Sequence, residues 1–92
     1  MNIEYYGNTE CIFRFKKVGG ASVYYRVFHS AYHSEGFFLL LSSILGGRVE
    51  DFFVPHVFGT LCQAQKLLDF LYENSVTPCT AEEVIDEYLG NL

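Results

Sequence analysis

The sequence is poor in cysteine and has no C-x-x-C pair: Cys11, Cys62 and Cys79 are three, an odd number. That argues against a disulfide framework and for the reducing environment of the cytosol. It also lacks a long hydrophobic run. The longest, Phe37–Leu41 extended to Leu45, falls far short of the ~20 residues that cross a membrane. The opening Asn2-Ile3-Glu4-Tyr5-Tyr6 has neither the basic nor the apolar region of a secretory signal. The phosphate-binding pattern G-x-x-x-x-G-K-[ST], the dinucleotide fingerprint G-x-G-x-x-G, the nucleophile elbow G-x-S-x-G and the zinc helix H-E-x-x-H are all missing. No cofactor and no small-molecule ligand follow from motifs. Positive charge is scarce in the second half. Residues 49–92 hold Lys66 against eight carboxylates, a net of −7, while residues 1–48 hold five cations against three carboxylates, a net of +2. The acidic half is a poor electrostatic partner for nucleic acid.

What the chain does have is apolar bulk. Half of its residues are hydrophobic and 17% are aromatic, enough for a packed interior and too many for disorder. Ninety-two residues make one domain, 1–92.

The second half reads as two helices. Val57, Leu61, Ala64, Leu68 and Leu71 recur at helical spacing, widened by Phe58, Leu67 and Tyr72, with Lys66, Asp69 and Glu73 on the wet side. Pro55 suits the opening of this helix. Asn74 is expected to end it in a left-handed turn, with Val76 folding back on the last turn. Pro78 forbids continuation. Thr80-Ala81-Glu82-Glu83 has the spacing of a capping box, and Cys79 with Val84 that of a hydrophobic staple. Val84, Ile85, Tyr88 and Leu89 form the apolar stripe of the second helix, which Gly90 stops.

The first half reads as sheet. Ile3–Tyr6 is a short strand, and Cys11–Val18 alternates, with Cys11, Phe13 and Phe15 on one face and Arg14 and Lys16 on the other. Gly19-Gly20 turns the chain into Ser22–Phe28. A two-residue turn would pair Phe13 with Arg26 and put a charge among aromatics. A three-residue loop, Gly19-Gly20-Ala21, pairs Phe13 with Val27 and Phe15 with Tyr25 and is the register expected, since one residue of slip exchanges the faces. His29–Gly36 is a polar loop. Phe37–Leu45 reads as strand rather than helix, because Gly46-Gly47 and Val49–Val54 complete a second hairpin. The fold expected is α+β: an antiparallel β-meander of four or five strands followed by two C-terminal helices packed on one sheet face.

Val49-Glu50-Asp51-Phe52, the leucine-striped helix, Asn74-Ser75-Val76-Thr77-Pro78 and Val84-Ile85-Asp86-Glu87-Tyr88-Leu89 together resemble the C-terminal half of a family of small proteins of unknown function from anaerobic Gram-positive bacteria. In that family a strand ending in an acidic dipeptide leads to a helix, an N-x-V-S/T-P corner and a V-I/V-x-D/E-Y/F-L helix. The chain departs from it at Phe53-Val54-Pro55-His56, where the family has an acidic, Ser/Thr-capped helix start. The resemblance covers about the second half and implies a fold without an activity.

Candidate chemistry is sparse. His29 and His33 are four residues apart, and with His56 and Cys62 they suggest a thiol- or metal-dependent site. The competing reading makes Cys62 a small core residue and Cys79 the staple. The carboxylates Asp69, Glu73, Glu82, Glu83, Asp86 and Glu87 belong to solvated helix faces and caps. The stronger feature is a basic and aromatic outer sheet face of Arg14, Lys16, Tyr24, Arg26 and Phe28. Such a face suits a protein partner or a second copy of the chain, and by base stacking a single-stranded nucleic acid is the alternative. The sequence thus points to a small non-enzymatic cytosolic interaction domain.

Overall fold

The computed structural model describes residues 4–5, 8–30 and 36–90. Ile3, Tyr6 and His33, which figure in the sequence reading, lie outside them. Five strands, β1 (Glu4–Tyr5), β2 (Asn8–Val18), β3 (Ala21–His29), β4 (Phe37–Leu45) and β5 (Arg48–Phe53), form one antiparallel sheet in chain order. Helices α1 (Leu61–Glu73) and α2 (Pro78–Gly90) follow and pack on one face of it. This is the α+β meander that the alternation of apolar residues anticipates, and Phe37–Leu45 is a strand.

The first hairpin takes the other register. Gly19 and Gly20 have φ of 55° and 86°, so both central residues of a two-residue turn are left-handed, the conformation that matches strand twist. Val18 consequently pairs with Ala21, Phe13 with Arg26 and Phe15 with Tyr24, and the three-residue loop is overturned. A bulge between Glu10 and Ile12 shifts the register near the start of β2. Gly46 and Gly47 repeat the same turn between β4 and β5, at φ of 58° and 81°.

This register decides what the helices cover. One face carries the cross-strand row Arg14, Tyr25, Leu41, Phe52 and, beside it, Ile12, Val27, Leu39. Tyr25, Val27, Leu39 and Leu41 are fully buried there against Ala64, Leu67, Leu68 and Leu71 of α1 and Ala81 and Ile85 of α2. The opposite face carries Phe13, Arg26, Leu40, Phe53 in one row and Phe15, Tyr24, Ser42, Asp51 in the next.

The helix boundaries differ from the periodicity in instructive ways. Pro55 does not open α1. The 54–60 segment instead runs along β4, where Phe37 and Phe58 exchange two backbone hydrogen bonds of 2.8 Å. The helix starts after Thr60, whose hydroxyl accepts from the Gln63 amide, and Val57 and Leu61 are left exposed rather than in the core. Thr80 is not a cap either. Pro78 occupies the first position of α2, Thr77 precedes it, and the Thr80 amide and hydroxyl both donate to the Thr77 carbonyl. Cys79 is exposed and closes no staple; Val76 and Pro78 are the buried residues of that corner.

The α1 C-terminus is a Schellman turn with Ser75, not Asn74, in the left-handed conformation, at φ 54°. The Val76 amide donates to Leu71 and the Ser75 amide to Tyr72, while the Asn74 side chain returns to the Phe70 carbonyl. The corner is locked from the sheet side by Tyr25. Its hydroxyl, fully buried, donates to the Val76 carbonyl at 2.7 Å, and its ring meets Tyr72 edge-on at 5.6 Å.

Burial, and secondarily the neighbouring Tyr72, pushes the Tyr25 phenol from its ordinary value of 10 up to about 12. Below pH 10 the phenol is protonated folded and unfolded, so its contribution is fully present. Above pH 10 the unfolded chain ionises first, and stability falls until the folded phenol follows near pH 12. Tyr25→Phe is therefore expected to lower stability at neutral pH by ~1–2 kcal/mol, through the unsatisfied Val76 carbonyl. It should also flatten the alkaline decline. Chemical melts across that pH range check both, and equal slopes for parent and variant would refute the assignment.

Candidate functional site

The five residues of the expected surface are divided between the two sheet faces. Arg14 and Lys16 point to the helices. The Lys16 ammonium donates to the Tyr72 carbonyl at 2.9 Å and lies 4.7 Å from the Tyr72 ring centroid. A cation is favoured at that place, where the carbonyls of a helix C-terminus gather. Arg14 approaches Asp69 of α1 at 3.9 Å, half-exposed on both sides, a contact of the kind that contributes little. Tyr24, Arg26 and Phe28 lie on the outer face. Phe28 stacks on Phe38 at 5.4 Å and is 1% exposed, so it offers no surface. The two-residue turn is the reason for this division: it moves β2 by one residue relative to the expected pairing.

What stands in place of the basic face is an aromatic one. Phe13 and Phe15, on the face that the alternation sets opposite Arg14 and Lys16, are 44% and 41% exposed, and Phe53, Ile44 and Val49 share the face at 47%, 40% and 59%. Phe15 and Phe13 lean on Tyr24 with ring centroids 5.1 and 5.9 Å away. Arg26 sits amid them, its guanidinium 5.7 Å from the Phe13 ring and 5.4 Å from that of Tyr24. Its Nε is buried and lies 3.3 Å from Glu10 Oε1, an ion-pair contact without the alignment of a hydrogen bond. Lys17 also lies on this face and donates to Ser22. With Lys17 and Arg26 against Glu10 and Asp51, the face is close to neutral.

Of the residues in the thiol or metal reading, His33 lies outside the described residues. Among the described residues no three His, Cys, Asp or Glu side chains come together as a metal site. Cys62 is exposed in the first turn of α1, not in the core. Partial desolvation pushes the Cys11 thiol up, opposed by a backbone hydrogen bond involving His29 and reinforced by Glu10, the opposite of the lowering that activates a nucleophilic cysteine. Among the described residues, no helix is long and apolar enough to cross a membrane.

A second feature, absent from the sequence reading, is a cleft of about 320 Å³ lined by His56, Val57, Phe58, Gly59, Gln63, Lys66 and Tyr88. Its residues come from the 54–60 segment, the first turns of α1 and the end of α2. The signal that places it was present but local: Thr60-Leu61-Cys62-Gln63 has the capping-box spacing that sets the true start of α1.

Comparison of the chain with family models, with curated proteins and with solved structures gives no match.

The inward role of Lys16 is testable against its neighbour. Lys16→Ala is expected to cost ~1–2 kcal/mol, through the lost charged hydrogen bond and ring contact. Lys17→Ala, on the outer face, should stay within ~0.5 kcal/mol of the parent. Urea melts of the two variants decide it; equal effects would return Lys16 to the solvent.

Proposed function

We propose that the protein is a small non-enzymatic interaction domain of the cytosol that pairs with a second copy of itself through the outer face of its sheet. The observation that carries this reading is the exposure of Phe13, Phe15, Ile44, Val49 and Phe53 together on that face. Contiguous apolar surface of this kind is costly to leave in water and marks a place where another surface lies. Charge argues for a second copy. The outer face is nearly neutral, so two of them meet without repulsion, while Asp69, Glu73, Glu82, Glu83, Asp86 and Glu87 remain on the helices, away from the contact. Head-to-tail association of a basic outer face with the acidic helices, by contrast, loses two of its cations, because Arg14 and Lys16 belong to the inner face, where Lys16 is bonded to α1. Binding of single-stranded nucleic acid loses them for the same reason, and aromatic stacking without a cationic groove is a weak basis for it.

Two sheets packed face to face with strands nearly aligned suit this surface. A two-fold axis along the strands lays β2 of one copy over β5 of the other. Phe13 then meets Phe53 of the second copy, each contact occurring twice, as an isologous interface requires. Membership of the small-protein family resembled by the C-terminal half belongs to the same proposal and supplies no chemistry of its own.

Sedimentation equilibrium is the test. The parent is expected to be a dimer at micromolar concentration, with little dependence on salt, because apolar contact is not screened as charge is. Phe13→Ser with Phe53→Ser should leave the circular dichroism unchanged, both side chains being exposed, and shift the protein to monomer. A parent monomeric throughout, or a double variant that still dimerises, would refute pairing through this face.

A further inference from the structure

We infer that the cleft between α1, α2 and the 54–60 segment is a binding site for a small monocarboxylate with an apolar, preferably aromatic, body. The floor and walls are apolar: Phe58 is 5% exposed, and the Tyr88 ring is held against Phe70 with centroids 5.1 Å apart. The rim is of one chemical kind. Lys66 is the sole cation of residues 49–92, among eight carboxylates, yet it lines this cleft and no carboxylate does. Among the described residues Lys66 makes neither an ion pair nor a hydrogen bond, although Asp69 is three residues on along α1. Gln63 and Lys66 stand one helical turn apart on the same side, and the His56 ring is set edge-on to Phe58 at 4.5 Å. The Lys66 ammonium, the Gln63 amide and the His56 imidazole thus line one cleft with the buried Phe58, as exposed donors free to meet an acceptor.

The wall holding His56 is built, not loose. Phe58 is tied to Phe37 by both backbone hydrogen bonds, at 2.8 Å. Gly36 makes room for the segment, since a Cβ there would run into the Val57 side chain. A preformed site spares a ligand the cost of ordering it. Size and charge narrow the class. About 320 Å³ lies at the small end of ligand pockets, which run from ~300 Å³ upward. One lysine suits one negative charge; a phosphate ester, at nearly two charges, would be left short of donors in so apolar a setting.

The probe is phenylacetate, followed by ¹H–¹⁵N chemical shifts of the full chain, with phenylacetamide as the neutral isostere. Phenylacetate should give saturable shifts centred on His56, Phe58, Gln63, Lys66 and Tyr88, and phenylacetamide should bind distinctly more weakly. Lys66→Gln, at an exposed position, should keep the fold and weaken phenylacetate by about tenfold or more, the effect of losing a charged hydrogen bond. Absence of saturable shifts at millimolar phenylacetate, equal binding of the amide, or no effect of Lys66→Gln would each overturn the inference. So would shifts confined to Phe13, Tyr24 and Phe53, which would mean adsorption on the outer sheet face. The cleft lies on the helical side, so its failure leaves pairing through the sheet untouched, and the reverse holds as well.

Discussion

The structure depends on how the sheet holds the C-terminal end of α1. Side chains from neighbouring strands take one carbonyl of that end and one of the corner just beyond it: Tyr72 by the Lys16 ammonium, and Val76 by the Tyr25 hydroxyl. The Schellman turn satisfies the Leu71 carbonyl from within through the Val76 amide, while the Ser75 amide shares the Tyr72 carbonyl with Lys16. Helix ends buried without partners are costly, so these bonds fix where α1 stops and in which direction the chain leaves for α2. Tyr25 combines a fully buried ring with a satisfied hydroxyl, and its neighbour Tyr72 packs edge-on against it. The corner is therefore specified by the sheet as much as by its own sequence.

That anchorage dictates the composition of both sheet faces. Lys16 and Tyr25 reach the same helix only if β2 and β3 are joined by a two-residue turn, which places Arg14 and Lys16 on the inner face beside Tyr25. Alternation then sends Phe13 and Phe15 outward. This arrangement gives up apolar burial on the outer face, and part of that cost is offset where the Lys16 cation meets the C-terminal end of α1. Arg26 fits the same pattern. It pairs with Glu10 and lies over Phe13 and Tyr24, so its charge is largely absorbed within the face.

The strands, the two Gly-Gly turns, the order of elements and the apolar stripe of α2 were legible in the sequence, because each rests on local periodicity and turn chemistry. The register of the first hairpin was not. A rule that gathers aromatics on the core side is sound on average, but it had no means of knowing that a lysine would be drawn under α1 by the Tyr72 carbonyl, fifty-six residues away. The start of α1 failed for a related reason. Val57 and Phe58 fit the helical stripe, yet Phe58 is held in extended backbone by Phe37 of β4. The cap expected at Thr80 failed because Pro78, rigid and buried, opens α2 two residues earlier and leaves Thr80 inside the helix. The candidate site suffered most, since membership of a face depends on register at every position. Of its five residues, Tyr24 and Arg26 remain on the outer face with exposed area.

The sheet also keeps the two proposed surfaces apart. Its inner side is filled by Val23, Tyr25, Val27, Leu39 and Leu41 against the helices, and the cleft opens beyond them, among elements that do not reach the outer face. Packing on the outer side therefore neither closes the cleft nor competes with it for a residue. Coupling between them would have to pass through β4, whose Phe37 is bonded to Phe58 at the cleft wall while its neighbour Phe38 faces outward and lies 6.1 Å from Phe53. Adjacent residues of one strand point to opposite faces, so pressure on Phe38 reaches Phe58 only through the β4 backbone itself. That backbone is held on one side by β3 and on the other by the 54–58 segment at Phe37 and Leu39 and by β5 from Leu40 onward. With so little freedom in the strand, pairing of two copies and filling of the cleft are expected to be thermodynamically independent, and a coupling between them would require β4 to have a second arrangement.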